Sequence, residues 1–558
     1  MSAPRPSIPF YLLLLLVAGL VLSWWLAAWH LPPAEDATML FRYSENLVDT
    51  GRISYNPGGP RAEGATDFLW MLAIAGGYAL GLSSFQAALL LSLGGLLGTL
   101  WVQYRLAQGS LGRLTLLWLG WLLASQLWAA AQGFSVLFWG FSLWLGIYFW
   151  EKKDWRGLYL SGLLMALIRP DGLLIAAPLA LGSLWLHPGQ RRANLRLLLR
   201  WAILPGLAYF AWRVWYFGQW WPLPILVKGL SSSSAPGLPR LASLQYLWWV
   251  FSRLIGPLWL LAGIGFFRAP QSREKRMAVL VLSFWLLPAA FYSYTALEQN
   301  VAHRFALPFL VGALWLACRQ TAWNVWQKAL VLLFLMISTA LYTVFFSHAF
   351  YNRYNQMHTI GQAWSQIPPH RLATTEAGHL PYYSGWPSLD AWGLNSPATA
   401  HHLVDQATLD SFAPQVIVLH SSLPFDSLLA QSTGPYRSER SWEAMNINLV
   451  KHACEKGDFQ AWAVPHEAVQ PWGGEDAFTL LANRLISFQE WYASWRRGPE
   501  DIVGDAAQPR FDHYLIRQDA PSHQWIEQVL TQHGGQWLGL LTQPAKANSH
   551  IRGTNGRR

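Results

Sequence analysis

The chain carries eleven or twelve apolar stretches, and roughly 20 predominantly apolar residues are what a helix needs to cross a bilayer. They lie at about 8–30, 84–106, 113–130, 134–150, 157–169, 172–187, 197–217, 243–267, 277–296, 304–319 and 328–347, with a further apolar segment at 67–82. Of the 558 residues 53% are hydrophobic and 13% charged, about half the usual charged share. That excludes intrinsic disorder and an ordinary soluble enzyme. Counting 67–82 as a span gives twelve crossings and leaving it out gives eleven. Cytoplasmic loops carry the excess of Lys and Arg, and this decides between the two. The basic connections hold Arg105 and Arg113, then Lys152, Lys153 and Arg156, then Arg191, Arg192, Arg196 and Arg200. Two more hold Arg268, Arg273, Lys275 and Arg276, and Arg319 with Lys328. All fall on the side of Arg5 only if 67–82 does not span. Eleven spans follow, with the N-terminus cytoplasmic and the C-terminus outside. The short segments 157–169 and 172–187 meet at Arg169-Pro170-Asp171-Gly172, where Pro170 predicts a helix break. The first span is long and lacks a small-residue cleavage site, so it reads as retained rather than as a signal peptide.

The net charge of +10 is unevenly spread. The first 347 residues are strongly basic and acid-poor, whereas 348–558 are mildly acidic, as in ordinary soluble domains. The positive charge is therefore topology, and nucleic acid is not a partner. Residues 349–558 read as an extracytoplasmic α/β domain. In it the strand-like run Gln415–His420 alternates with helical stretches such as Phe478–Trp495, and 547–558 read as a frayed end. Cys318 and Cys454 fall in different halves, which argues against a disulfide. No internal repeat is visible, which weighs against a secondary transporter.

Acidic residues are scarce before position 348, yet Glu35, Asp36, Glu45, Asp49, Glu63 and Asp67 all fall in the first outer loop. A helix is expected over Thr38–Val48. Glu35 and Asp36 would then suit its N-terminal dipole, with Asp36 as N-cap; that bland role competes with a chemical one. Tyr55–Gly64 is a turn cluster. Lys228, in a second outer loop, and His303-Arg304, at the outer end of a later span, could be interfacial anchors. Three cationic sites on the face where cations are disfavoured are better explained by a shared anion.

These residues, taken with others in the same order, resemble the GT-C glycosyltransferases, closest to the mycobacterial terminal arabinofuranosyltransferase group. The likeness is carried by Glu35-Asp36, Phe41–Val48, Gly51, Tyr55–Gly58, Glu63–Thr66 and Phe68–Trp70, then by Ala131–Phe134. After Phe134 the family has an acidic residue where this chain has Ser135. It continues with Ile168–Gly172, with Tyr216–Gly218, Pro222 and Lys228 (Leu223-Pro224 replacing Asn-Thr), and with Arg304-Phe305 and Pro308. It ends with Ala373–Gly378, Pro381–Gly385 and Asp390–Asn395. The resemblance covers most of 34–395 and is thin beyond.

It implies a GT-C transmembrane domain at 1–348, with its catalytic loop at about 31–83, followed by an outer domain at 349–558, in a bacterial inner membrane. The implied activity moves a sugar from a polyprenyl-phosphate donor to a cell-envelope glycan or lipid acceptor, with membrane lipids as further partners. The resemblance makes Asp36 the general base and Glu35 its alternate. Inversion needs one carboxylate to take the acceptor hydroxyl's proton, and the departing lipid phosphate needs cations. Arg42, Arg169, Lys228, His303 and Arg304 are the candidates, with Arg61 and Glu63 as loop or acceptor residues. No His/Cys cluster has metal-ligand spacing, so no cofactor and no obligatory metal is expected. Tryptophans at span ends (Trp24, Trp25, Trp29, Trp220, Trp221, Trp248, Trp249) read as interfacial belts; Trp386, Trp392 and Trp472 are candidates for stacking on a glycan, with belt or core packing the favoured reading. The competing readings are a flippase or exporter of lipid-linked glycans, which would need ionisable groups buried along the spans, and a non-catalytic scaffold presenting 349–558.

Overall fold

The computed structural model describes residues 8–30, 32–124, 126–230, 278–294, 301–319, 356–421, 423–465 and 511–541, with isolated positions at 276, 326, 329–330 and 332–333. The expected spans 243–267 and 328–347, the helix Phe478–Trp495 and Trp472 lie wholly or mostly outside the described residues. The chain divides into two compact units, one built mainly before residue 351 and one mainly after 352.

The first unit is helical. Helices α1 (Ile8–His30), α2 (Glu35–Thr50), α3 (Phe68–Ala79), α4 (Ser84–Ala107) and α5 (Leu111–Leu122) are followed by α6 (Gln126–Ala131), α7 (Val136–Lys152), α8 (Trp155–Ile168) and α9 (Leu173–Leu186). Next come α10 (Arg191–Leu198), joined by a π-turn to α11 (Leu204–Phe217), and α12 (Leu223–Leu230); α13 (Leu287–Tyr294) and α14 (Leu307–Cys318) come later. Among the described residues three helical runs, Ile8–Trp29, Ser84–Ala107 and Pro188–Phe217, are long and apolar enough to cross a membrane. With 12 residues, α3 is roughly 18 Å long, as short as α5 and α14. The expected span 113–130 is instead divided between α5 and α6. No proline or glycine marks that break, so hydropathy reads through it.

The break at Pro170 is present: α8 ends at Ile168, a 3-10 turn covers Pro170–Gly172 and α9 begins at Leu173. A Cβ on Gly172 would lie 2.3 Å from the Met165 carbonyl oxygen, so only glycine lets the chain fold back so closely. Arg169, the C-cap of α8, is thereby fixed at this turn.

The second unit is a six-stranded mixed sheet in the order β2-β1-β3-β5-β4-β6. Its strands are β1 (Leu372–Thr374), β2 (Ser388–Asp390), β3 (Val416–His420), β4 (Phe459–Pro465), β5 (Phe511–Arg517) and β6 (Gln536–Leu541). The pairs β1–β2 and β1–β3 are parallel and the remaining pairs antiparallel. Central strands are covered on both faces, so Val416–Leu419 is an unbroken apolar run whose alternate residues serve two cores. Ile417 and Leu419 join Leu515 and Ala461 under the helix Trp442–Lys456, while Val416 and Val418 join Tyr514, Trp364 and Trp386 on the other side. Trp386 is fully buried and stacked on Trp364 at 4.7 Å, so of its two candidate roles it takes the core one and is not a glycan-stacking surface. Trp392 remains partly exposed against Trp442.

The Asp390–Asn395 motif is a turn built on one buried carboxylate. Asp390 accepts from the backbone N–H groups of Trp392, Gly393 and Asn395 and from the Asn395 side chain, all at 2.8–3.0 Å. Burial pushes the Asp390 carboxyl up, and these hydrogen bonds pull it back.

His452 in the helix Trp442–Lys456 is held at a pKa of about 4, first by burial and then by the neighbouring Lys456. An unfolded imidazole takes a proton near pH 6.5, and the folded one does not until about pH 4. The unfolded state therefore binds more protons between these values, and stability falls as pH drops through that window. Thermal unfolding of the full chain between pH 7 and 4.5 should show a midpoint falling by several degrees. His452→Gln should flatten that slope, and an unchanged slope would remove His452 as its source.

Candidate active site

Helix α2 begins one turn earlier than its apolar pattern suggests. Its N-cap is Ala34, with no side-chain capping bond, and Glu35 and Asp36 occupy its first turn. Asp36 is therefore not the cap expected from sequence, because its carboxylate has another partner. Arg304 Nη2 donates to Asp36 Oδ2 at 3.0 Å, across 268 residues of chain. Both side chains are largely buried, at 10% and 19% exposure. The second Arg304 arm, Nη1, is buried and has no hydrogen-bond partner.

The guanidinium of Arg304 lies 4.1 Å from the Phe134 ring centroid and 5.3 Å from that of Phe305. Arg169 lies 5.0 Å from the same Phe305 ring, so one aromatic side chain serves two buried cations. Arg169 forms a two-armed pair with Asp171, at 3.1 and 2.9 Å. Tyr292, buried in α13, donates to the same carboxylate at 2.6 Å. On its other side, Arg169 Nη1 stands 3.9 Å from Asp67 Oδ2, which accepts a 2.6 Å bond from Ser135 Oγ. Burial pushes the Asp67 carboxyl up, while Arg169 and Ser135 pull it down. The order through the cluster is thus Asp36, Arg304, Phe305, Arg169 and then Asp67 with Ser135.

The turn Gln132–Ser135 closes one wall of this cluster. Ala34 N–H donates to Gln132 O at 2.9 Å, and Trp70 Nε1 to Gly133 O at 3.3 Å. Gly133 has φ +94°, and a Cβ there would meet Phe41 Cζ at 2.7 Å. Only glycine satisfies both the backbone and the packing.

The remaining motif residues of α2 hold the loop itself. Arg42 Nε donates to Tyr55 O at 2.6 Å and Nη2 to Asn56 Oδ1 at 3.0 Å. Asn46 donates to the Ser54 and Tyr55 carbonyls, Gly64 N–H to Tyr43 Oη, and Ser84 Oγ to Glu45. Arg61 is exposed and lies 4.3 Å over the Tyr216 ring. Glu63 is buried and accepts from Arg213 Nε at 2.6 Å, while the other Arg213 arm donates to Trp220 O. Glu63 Oε2 and Arg213 Nη2 are buried without partners. Burial pushes the Glu63 carboxyl up and Arg213 draws it back. The Glu63 carbonyl also accepts from Leu223 N–H, at the start of the helix that carries Lys228.

Of the residues expected from sequence, Asp36, Arg169 and Arg304 lie in one cluster, with Glu35 beside Asp36 in the same helical turn. Arg42, Arg61 and Glu63 lie in the loop framework. Lys228 is in α12 and His303 in the 3-10 turn Val301–Ala306; both side chains are outside the described residues. Sequence reasoning left out Asp67, Ser135, Asp171, Tyr292 and Arg213 as site residues. An arginine within the apolar run of α11 was itself a signal for Arg213, because a buried charge there demands a partner. Among the described residues no group of three His, Cys, Asp or Glu side chains is placed to hold a metal ion.

Residues 348–472 match a family model described as a domain of unknown function (DUF8728). No curated protein matches the sequence. Among solved structures the chain is similar to ArnT from Cupriavidus metallidurans bound to undecaprenyl phosphate. The identity is 13% and the TM-score 0.50, over 77% of this chain and 96% of that one. The apo structure of the same protein aligns over the same shares at 16% identity with a TM-score of 0.39. The chain therefore has an ArnT-like GT-C fold with a C-terminal α/β domain and is a multi-pass membrane protein. The narrower likeness to arabinofuranosyltransferases gains no support from these relatives.

The Glu63–Arg213 pair should behave as a buried clasp between loop and bundle. Removing one partner leaves an uncompensated buried charge, at a cost of about 3–5 kcal/mol. Glu63→Met or Arg213→Met alone should lower the thermal midpoint, and the double variant should regain most of the loss. If the double is as unstable as the sum of the singles, the pair is not a unit.

Proposed function

We propose that this chain is an integral membrane glycosyltransferase that moves a sugar from a polyprenyl-phosphate donor to a hydroxyl of a cell-envelope glycan or lipid on the outer side of the membrane, with inversion. The observation that carries the reading is the Asp36–Arg304 pair, a carboxylate and a cation of which one arm remains uncommitted in a buried cluster. The GT-C fold supports the same reading, as does the undecaprenyl phosphate bound by the ArnT structure.

Asp36 takes the proton from the acceptor hydroxyl as the acceptor oxygen attacks the anomeric carbon. The bond from that carbon to the phosphate oxygen breaks, and polyprenyl phosphate leaves with the electron pair. Arg304 acts at both ends. Its Nη2 orients the base, and its Nη1 supplies a charge-assisted hydrogen bond to the phosphate. The charge inventory separates the two cluster arginines. Arg169 has a bidentate partner in Asp171 and a second carboxylate nearby, so it has little left for a phosphate. Arg304 has one carboxylate and a spare arm. Lys228 and His303 are the further phosphate cations, and Arg42 braces the loop. Glu35 is the alternate base, and Arg61 borders the acceptor side.

Among the described residues the buried charged groups of the first unit, Arg42, Glu63, Arg169, Arg213 and Arg304, all lie in the first loop or in contact with its residues, and this favours transfer over export. The test is transfer from a radiolabelled polyprenyl-phosphate sugar pool in reconstituted membranes. Asp36→Asn should cut transfer by about 10²–10⁴-fold while still binding undecaprenyl phosphate. Arg304→Met should lose both. Unchanged transfer in D36N would reject Asp36 as base, and transfer by neither wild type nor variant would favour the scaffold.

A further inference from the structure

Helix α10 and the π-turn after it carry cations with no acid to answer them. No Asp or Glu occurs between Asp171 and Glu274, whereas Arg191, Arg192, Arg196 and Arg200 crowd into one short stretch. Arg192 and Arg196 stand four apart on α10, one above the other, where like charges oppose a helix. Arg200 follows in the π-turn Leu199–Ile203, and its guanidinium lies 5.2 Å from the Trp201 ring. Arg156, in the first turn of α8, lies 4.3 Å from the same ring. Arg156, Arg192, Arg196 and Arg200 are all exposed, and none has a salt bridge among the described residues. The preference for cations on one membrane face accounts for their sign. It does not account for two guanidiniums brought to one indole, nor for a row of them without a carboxylate.

The run Pro188–Phe217 that bears this row is 30 residues long. As a helix it measures roughly 45 Å, against a hydrocarbon core about 30 Å thick, so its ends reach the headgroup layers. Beyond the arginines it presents Leu199, Ile203, Leu204 and Leu207, all exposed, a surface that suits acyl chains. Its other end is tied to the first loop, because Arg213 donates to Glu63 and Ile53 N–H to Tyr216 Oη. Arg200 and Arg192 lie roughly 20 and 30 Å from Arg213 along the axis. The row therefore belongs to the membrane face opposite the candidate active site.

An anion that meets guanidiniums at one level and leucines at the next is a phospholipid headgroup whose chains stay in the bilayer. Arginine holds phosphate oxygens in a two-pronged fork. One phosphodiester carries a single negative charge, which matches only part of a row that spans about 12 Å from Arg192 to Arg200. We infer that Arg156, Arg192, Arg196 and Arg200 form a binding site for an anionic phospholipid with two phosphodiester groups. Arg192 and Arg196 take one phosphate; Arg200 and Arg156, gathered on Trp201, take the other. The site does not depend on the transferase reading.

The experiment is native mass spectrometry of the full-length protein in detergent, titrated with cardiolipin, which has two phosphodiesters, and with phosphatidylglycerol, which has one. The variants are Arg196→Gln, the triple Arg192→Gln/Arg196→Gln/Arg200→Gln, and a control that removes the same charge from other exposed positions, Arg105→Gln/Lys152→Gln/Lys153→Gln. An arginine beside anionic headgroups contributes about fivefold in affinity. R196Q should therefore weaken cardiolipin binding about fivefold and the triple variant about a hundredfold, with the control within about threefold of wild type. Wild type should prefer cardiolipin to phosphatidylglycerol by about tenfold or more. Equal losses in the triple variant and the control reduce the row to diffuse surface charge and overturn the site, as does a triple variant that binds like wild type. Equal affinity for the two lipids overturns the assignment of two phosphates. Should the triple variant fail to reach the membrane, R196Q decides, and undiminished cardiolipin binding in it overturns the site.

Discussion

The Asp36–Arg304 ion pair is the constraint on which the membrane unit turns. It joins the first residues after the first span to a turn 268 positions later, and it does so where water is largely excluded. A pair in such a place is an expensive way to gain stability, because desolvation consumes most of the attraction. Its value lies in geometry. The first helix of the loop cannot rotate about its axis without pulling a carboxylate from its cation. The rings of Phe134 and Phe305 lie against the guanidinium, and the turn that carries Phe134 is itself tied to the loop by Ala34 and Trp70.

The loop around this pair is a folded element in its own right. Arg42, Asn46 and Tyr43 reach from one helix to the carbonyls and amides of the turn that follows it. Glu63 then fastens the end of that turn to Arg213 in the long helix α11. Four buried arginines from separate parts of the chain thus meet the loop or its carboxylates, three of them in salt bridges and Arg42 through carbonyl and amide oxygens. On the transferase reading, such contacts fix the Arg304 arm before a phosphate arrives, which is the preorganisation that electrostatic catalysis needs.

Much of this was legible in the sequence. Hydropathy located most of the described helices because a buried or spanning segment must be apolar along its length, although it read through the break between α5 and α6. The gathering of acids pointed to the first loop, because charges are costly in the apolar rest of this half, and the family resemblance alone singled out Asp36 within it. The strand Val416–His420 was visible as the strand-like run Gln415–His420. Pairings were not legible. Sequence spacing cannot say that Arg304 faces Asp36, that Arg169 is committed to Asp171, or that Arg42 holds a turn, because each depends on contacts 2 to 268 residues apart. Asp67 was overlooked for the same reason: it was one acid among six until Ser135 was found opposite it. Trp386 falls on the core side of the two roles open to an outer-domain aromatic, and only its burial decides between them.

The central claim is that Arg304 holds the lipid phosphate with one arm and the base with the other. The most direct measurement is a density map of the protein with undecaprenyl phosphate bound. The account predicts a phosphate oxygen within hydrogen-bond distance of Arg304 Nη1 while Nη2 still contacts Asp36. A phosphate bound elsewhere, with Arg304 Nη1 still buried and unbonded, would contradict it.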